Sequence, residues 1–342
     1  MAAQGPLTRR GPLARLAARA ASAVLDPTIL LSFDRSGFAR HAAGFDPRDL
    51  QVDLGGRTCL VTGANSGIGF ATCEGLAARG ATVWMLCRDA GRGAAAAREL
   101  RRRTGSRRVH LATLDVADLG SVRRFAGGFT APRVDVLVHN AGMLADQRGE
   151  TVDGHELTLA THVLGPLLLT CLLRPRLAAA GGARVIFVAS GGMYTTRLSV
   201  HDAGWRERPF DGVAAYAQAK RMQVVLAELL AQQLAADRIA VNAMHPGWAE
   251  TPAVKNSLPR FYAATRRILR TPAEGADTVL WLAASAAAAG ESGRFWFDRQ
   301  ARRTHFLPRT RETAVERAAF AELCRQAVPE FSQLPAGRSA PR

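Results

Sequence analysis

From Arg57 onward the chain alternates short apolar runs with longer Ala/Leu-rich stretches, and this alternation restricts the possible folds more than any other feature. The apolar runs are TCLVT from Thr58, ATVWMLC from Ala81, VHLATLD from Val109, VDVLVHN from Val134, ARVIFVAS from Ala183, RIAVNAMHP from Arg238 and GRFWF from Gly293. Each has the length of one strand and is apolar throughout, the pattern of a strand buried on both faces. Between them, AAAARELRRR and MQVVLAELLAQQLAA have helical character. The second places Val225 with Leu229, and Leu226 with Leu230, on one stripe. Strands in alternation with helices imply a parallel sheet covered on both sides. The expected fold class is α/β: a doubly wound sheet of about seven parallel strands with helices on both faces.

No linker interrupts residues 57–300, so one domain is expected over 55–300. A basic extension, 1–54, precedes it. A helical extension, 301–342, follows, with a loose tail beyond Leu334. Of 342 residues, 48% are hydrophobic, which supplies a core and excludes a chain that is disordered throughout. The five cysteines, Cys59, Cys73, Cys87, Cys171 and Cys324, form no CxxC pair, so neither a disulfide framework nor a metal site is expected. They have the character of small core residues in a reducing compartment, and a cytoplasmic location follows.

The net charge of +16 raises the question of nucleic acid as a partner. The arginines are scattered, and zinc-finger spacing, RNP-like aromatic sequence and a basic helix with a dimerising heptad are all missing. Nucleic acid is therefore not expected as a partner. No run of 18 or more apolar residues suggests a membrane span. The first 25 residues carry Arg9, Arg10, Arg15 and Arg19 and no acid, and Leu13 to Leu25 is expected to form a basic amphipathic helix. Three readings stay open for it: a transit peptide, a peripheral membrane anchor, and a plain extension.

The stretch LVTGANSGIGFAT follows the first strand and enters a helix. Gly63 permits a sharp turn. Gly67 and Gly69 let backbone approach a pyrophosphate and let the helix sit close on the sheet, while Asn65, Ser66 and Ile68 complete the loop. The helix N-terminus offers free N–H groups to an anion. This is a Rossmann-type nucleotide site. At the tip of the second strand stands Arg88, which can pair with a ribose 2′-phosphate; NADP(H) is therefore expected over NAD(H), although the neighbouring Asp89 could reach a ribose hydroxyl. Asp115 and Val116, then Asn140, Ala141 and Gly142, close two further strands on the same edge.

Tyr216 and Lys220 stand four apart and share a helix face. Of the 45 Lys and Arg residues only Lys220 and Lys255 are lysines, so lysine at 220 is a specific choice. A tyrosine with its reference pKa of about 10 shuttles protons poorly at neutral pH. A neighbouring ammonium is expected to lower that value, and a compact ammonium can also bind ribose hydroxyls. An ordinary Tyr/Lys helix pair would show the same spacing; the glycine loop makes the catalytic reading the stronger one.

These segments resemble the short-chain dehydrogenases/reductases: the TGxxxGxG loop at Thr62 to Gly69, the NAG sequence at Asn140 to Gly142, and the YxxxK pair at Tyr216 to Lys220. The family's serine matches Ser190 in VIFVASGG, and its PG turn matches Pro246-Gly247, with Thr251 just beyond. The resemblance covers about residues 55 to 300. It implies hydride transfer between a nicotinamide and a carbonyl or alcohol. Tyr216 would serve as acid/base, Lys220 as its pKa modulator and ribose ligand, and Ser190 as the group orienting the carbonyl oxygen. It also implies dimers or tetramers built on the helix of Tyr216, which the terminal extensions could block. One position departs from the family: His162 stands where an asparagine usually helps hold a water in the proton path to the lysine. Two segments are expected to border a lipophilic substrate. One runs from Ser190 to Tyr216 with Met193, Tyr194, Leu198, Trp205 and Phe210. The other, Pro252 to Thr271, suits either a lid or a helix packed on the sheet. Trp248, directly after Pro246-Gly247, is expected near the nicotinamide. A cofactor-binding redox sensor with little turnover, favoured by His162, and a membrane-surface scaffold are the other functional readings.

Overall fold

The computed structural model describes residues 29–251, 255 and 259–335. The helix expected over Leu13 to Leu25 and most of the tail beyond Leu334 lie outside them. The eight strands are β1 Thr58–Thr62, β2 Thr82–Cys87, β3 Val109–Thr113, β4 Val136–His139, β5 Arg184–Val188, β6 Ala240–His245, β7 Phe295–Phe297 and β8 Gln300–Arg302. They form one sheet in the order β3-β2-β1-β4-β5-β6-β7-β8. The seven expected strands are all present and parallel, trimmed at their ends.

The eighth strand was not expected. It pairs antiparallel with β7 across a two-residue turn, Asp298-Arg299, at φ 49° and 58°. Two left-handed residues match the twist of a hairpin, but Asn-Gly usually supplies them. Here tertiary partners hold the conformation. Asp298 meets Arg270 and His41, and the Arg299 guanidinium binds Asp277 at 2.7 Å.

Eight helices of eight or more residues are described: α1 Arg35–Ala42, α2 Gly67–Ala78, α3 Ala90–Thr104, α4 Leu119–Gly128, α5 Gly165–Ala179, α6 Gly212–Gln233, α7 Pro272–Ala284 and α8 Ala314–Ala327. One face of the sheet is covered by α4, α5 and α6, with Leu119, Leu167 and Leu226 in a shared core. The other is covered by α2, α3 and α7 through Leu76, Leu100 and Val279. The stretch Leu157–Ala179 is long and apolar enough to cross a membrane, yet most of it is buried inside the protein as the core helix α5 and the turns before it.

Both described ends of the chain are tied to this layer structure. Phe320 and Cys324 of α8 enter the core, and so do Val328 and Phe331 beyond it. Upstream of the sheet, Phe33 belongs to the same core. Arg270 is fully buried and binds Asp298 at 2.6 and 2.8 Å, the Ser32 carbonyl at 2.9 Å and the Asp34 carbonyl at 3.0 Å. His41 Nδ1 lies 2.6 Å from the same Asp298 carboxylate. The sequence groups Arg270 with the charges of a possible lid; it points inward instead, because Asp298 and three backbone carbonyls, with Pro246 the weakest, satisfy it there. Residues 252–254 and 256–258 of that segment lie outside the described residues.

Candidate active site

The strand order reverses direction between β1 and β4, and the crevice of such a sheet opens at the carboxyl ends of these strands. Gly63, directly after β1, takes φ 64°, and its N–H donates to the Leu86 carbonyl at 2.9 Å. Ser66 precedes α2 in an extended conformation, and no side chain caps the helix. The first N–H groups of α2 therefore remain available at the crevice, the condition for holding a pyrophosphate. Gly69 fits closely: a Cβ there would run into the Gly63 carbonyl and the Asn140 amide. The residues present thus suit a dinucleotide.

Asn140 acts first as a brace. Its Nδ2 donates to the Thr62 carbonyl at 3.0 Å and the Gly63 carbonyl at 3.2 Å. The Thr62 hydroxyl in turn accepts the N–H groups of Asn140 and Ala141 at 3.0 Å each. The two loops are locked together before any ligand is considered, which costs entropy once, on folding, rather than on binding.

A cavity of about 450 Å³ opens here. Gly63, Asn65, Ser66, Gly67, Ile68, Asn140, Ala141 and Gly142 line one side. Ser190, Tyr216, Lys220, Pro246, Gly247 and Thr251 line the rest, together with Met143, Leu144, His162 and Trp248. Arg88, Asp115 and Val116 are not on this wall. Arg88 is exposed at the end of β2. Asp89 caps α3, accepting the Arg92 N–H at 2.8 Å and pairing with its guanidinium. Asp115 accepts from the Ala117 N–H at 3.0 Å, and Val116 is buried. Met193, Tyr194 and Leu198, expected at the pocket, are core residues; from that segment Gly191 and Gly192 reach the cavity.

Ser190 ends β5 and starts a short 3-10 turn, its hydroxyl accepting the Gly192 N–H at 3.3 Å. It also hydrogen-bonds Tyr216. Burial pushes the Tyr216 phenol up, and the bond to Ser190 opposes this. Lys220 is itself buried, and burial lowers its pKa to about 7. Its Nζ donates to the Val188 carbonyl at 2.8 Å and to Gln223 Oε1 at 2.9 Å, and lies 5.4 Å from the Tyr216 ring centre.

His162 sits in a π turn, Ala160–Leu164, that leads into α5. Its ring is fully buried and meets the Tyr216 ring edge-on at 5.4 Å. Nε2 lies 2.9 Å from the Met143 carbonyl and 3.3 Å from the Met143 N–H, and Nδ1 is buried without a partner. Burial, then the Lys220 charge, holds its pKa well below the usual value.

Sequence reasoning missed three residues. Gln223 bridges Lys220 and the His162 carbonyl, which it reaches at 2.8 Å; a glutamine inside an apolar helix face was the available signal. His245, at the end of β6, accepts the Gly191 N–H at 3.0 Å and lines the cavity. Phe33 packs edge-on against His245 at 4.3 Å and Trp248 at 6.2 Å, and nothing local marked it.

A doubly wound sheet with an uncapped glycine loop facing a Ser/Tyr/Lys group defines a nicotinamide-dependent oxidoreductase class. The chain belongs to the short-chain dehydrogenase/reductase family, whose model for short chain dehydrogenases matches residues 57–260. It is 41% identical over 305 residues to the human dehydrogenase/reductase SDR family member 12, covering 88% of this chain and 96% of that one. It is 35% identical over 264 residues to human retinol dehydrogenase 12, covering 76% and 83%. Among solved structures it resembles the NADP active-site complex of RhlG from Pseudomonas aeruginosa. The TM-score is 0.58 and the identity 27%, over 71% of this chain and 94% of that one.

Proposed function

We propose that the protein is an NADP(H)-dependent reductase or dehydrogenase of a lipophilic carbonyl or alcohol. The carrying observation is that Ser190, Tyr216 and Lys220 line one cavity together with the uncapped start of α2. The glycine loop would hold the pyrophosphate, and Lys220 the ribose hydroxyls. Bound there, the nicotinamide supplies or accepts the hydride. Ser190 holds the substrate oxygen, and Tyr216 gives its proton to that oxygen in reduction or takes it in oxidation.

Two facts favour NADP(H). Arg88 is exposed at the tip of β2, and Asp89, the alternative ribose ligand, is engaged as a helix cap. The NADP complex of RhlG points the same way. Met143, Leu144 and Trp248 give the cavity an apolar side, and the retinol dehydrogenase relative fits a lipophilic substrate. A cytoplasmic protein with peripheral membrane contact through its basic N-terminus accords with such a substrate.

The test is NADPH oxidation against a panel of lipophilic aldehydes and ketones, beside NADH, Tyr216→Phe and Arg88→Ala. Tyr216→Phe should cut turnover ~10²-fold or more while NADPH still binds. Arg88→Ala should weaken NADPH about tenfold or more and leave NADH unchanged. Unchanged turnover in Tyr216→Phe would remove this mechanism. The second reading, a cofactor-binding sensor, is favoured by the buried, unpartnered Nδ1 of His162 at the family's asparagine position. NADPH binding that alters a partner's affinity with no turnover would support it.

A further inference from the structure

Lys220 lies on a cavity wall, yet two of its three ammonium hydrogens are directed away from any ligand. One goes to the Val188 carbonyl at 2.8 Å on β5, the other to Gln223 Oε1 at 2.9 Å on the next turn of α6. An ammonium has three donors, so one hydrogen is left for the cavity. Gln223 is itself fully buried, and its amide Nε2 donates to the His162 carbonyl at 2.8 Å. Both ends of this amide are therefore committed, and it spans from the ammonium to the π turn whose histidine ring faces Tyr216. The route from lysine to that helix carbonyl is occupied by a group that neither gains nor loses a proton near neutral pH.

We propose that Gln223 is a positioning residue that clamps Lys220 from behind and fills the place where a water would otherwise link the lysine to the His162 carbonyl. Protons then reach and leave Lys220 from the cavity side. The clamp sets the direction of the one free ammonium hydrogen and couples the Tyr216/Lys220 helix to the turn of His162. The titratable groups around Lys220 are Tyr216 on its own helix, His162 on the turn packed against it and His245 on the far wall; β5 contributes the Val188 carbonyl. Burial dominates the setting of the lysine, so a single acceptor counts for much. This inference rests on the redox reading for its purpose, but not for its test.

With two lysines in the chain, lysine-selective isotope labelling gives two side-chain NMR signals. Lys255 is exposed and serves as an internal reference, assigned through Lys255→Arg. Gln223→Glu places a carboxylate beside the ammonium and should move the Lys220 titration up by about one unit or more. Gln223→Met, of similar length, removes the acceptor and should move it down. Opposite signs separate the clamp from general loosening, which would admit water and raise the value in both variants. If Gln223→Met does not fold, Gln223→Asn, too short to span both partners, should take its place and its sign. In an active enzyme, the pH limb of kcat should follow the same two directions. Equal Lys220 titrations in all variants would overturn the proposal. Shifted titrations in a protein that turns over no substrate would keep the clamp and discard the redox reading.

Discussion

His139 shows what a single buried group asks of pH. Its Nε2 lies 2.8 Å from the Thr170 hydroxyl, which donates to the Pro166 carbonyl at 2.8 Å and so must accept from the ring. The proton is thereby assigned to Nε2, and Nδ1 is buried without a partner. Protonating it would place a charge in the core, and burial lowers the pKa to about 3. Between pH 6.5 and 3 the unfolded chain binds a proton that the folded one refuses. Stability from this group is complete above pH 6.5 and falls as pH drops below it. From pH 7 to 5 the loss is about 2 kcal/mol. His139→Gln should flatten the decline of Tm over this range, and an unchanged slope would refute the assignment. Lys220 acts with the same sign in a higher pH window. Its value is depressed to about 7, so stability should rise with pH from about 7 toward the unfolded value of 10.5.

Among elements, the segment before the sheet stands out because it is built into the site. The Trp248 N–H donates to the Phe33 carbonyl at 2.8 Å. The Phe33 ring contacts His245, Trp248 and Phe297, and a Cβ on Gly191 would come within 2.6 Å of it. Phe33 thus supports the substrate side of the cavity without lining it. Arg270 holds the flanking Ser32 and Asp34 carbonyls while it pairs with the buried Asp298, and cutting that ion pair on one side costs about 3–5 kcal/mol. Phe33→Ala should raise KM for a carbonyl substrate several-fold while NADPH affinity stays within about twofold, since the glycine loop is built from other residues. A parallel loss of NADPH affinity in titrations would show that Phe33 supports the fold as a whole rather than this wall.

For the whole molecule, the basic N-terminus lies ahead of the part that the family model covers. Four arginines and no acids in the first 25 residues would draw it to an anionic lipid surface at about 1 kcal/mol per basic residue. Removal has to stop before Phe33, because the described segment from residue 29 onward belongs to the folded body. A variant lacking residues 1–28 should lose sedimentation with vesicles containing phosphatidylserine and keep its Tm within a few degrees. Equal pelleting of both forms would remove the membrane reading.

The seven parallel strands, the glycine loop and the Tyr216/Lys220 pair could be read from the chain because each is written in neighbours. Two-sided burial shows as a continuous apolar run, a tight turn as glycine, and a shared helix face as a spacing of four. Thr62 to Gly69 and Ser190 stand where their strands end, so their place on the sheet edge follows from strand order. Other features join residues far apart, and no local pattern announces them. His41 meets Asp298 across 257 positions, Gln223 meets the His162 carbonyl across 61, and Asp298-Arg299 turns left-handed because Arg270 and Asp277 wait for it. The direction of the Tyr216 shift also belongs here: burial by the surrounding layers sets it. Desolvation depends on everything packed around a group, and that sum exists once the chain has closed on itself.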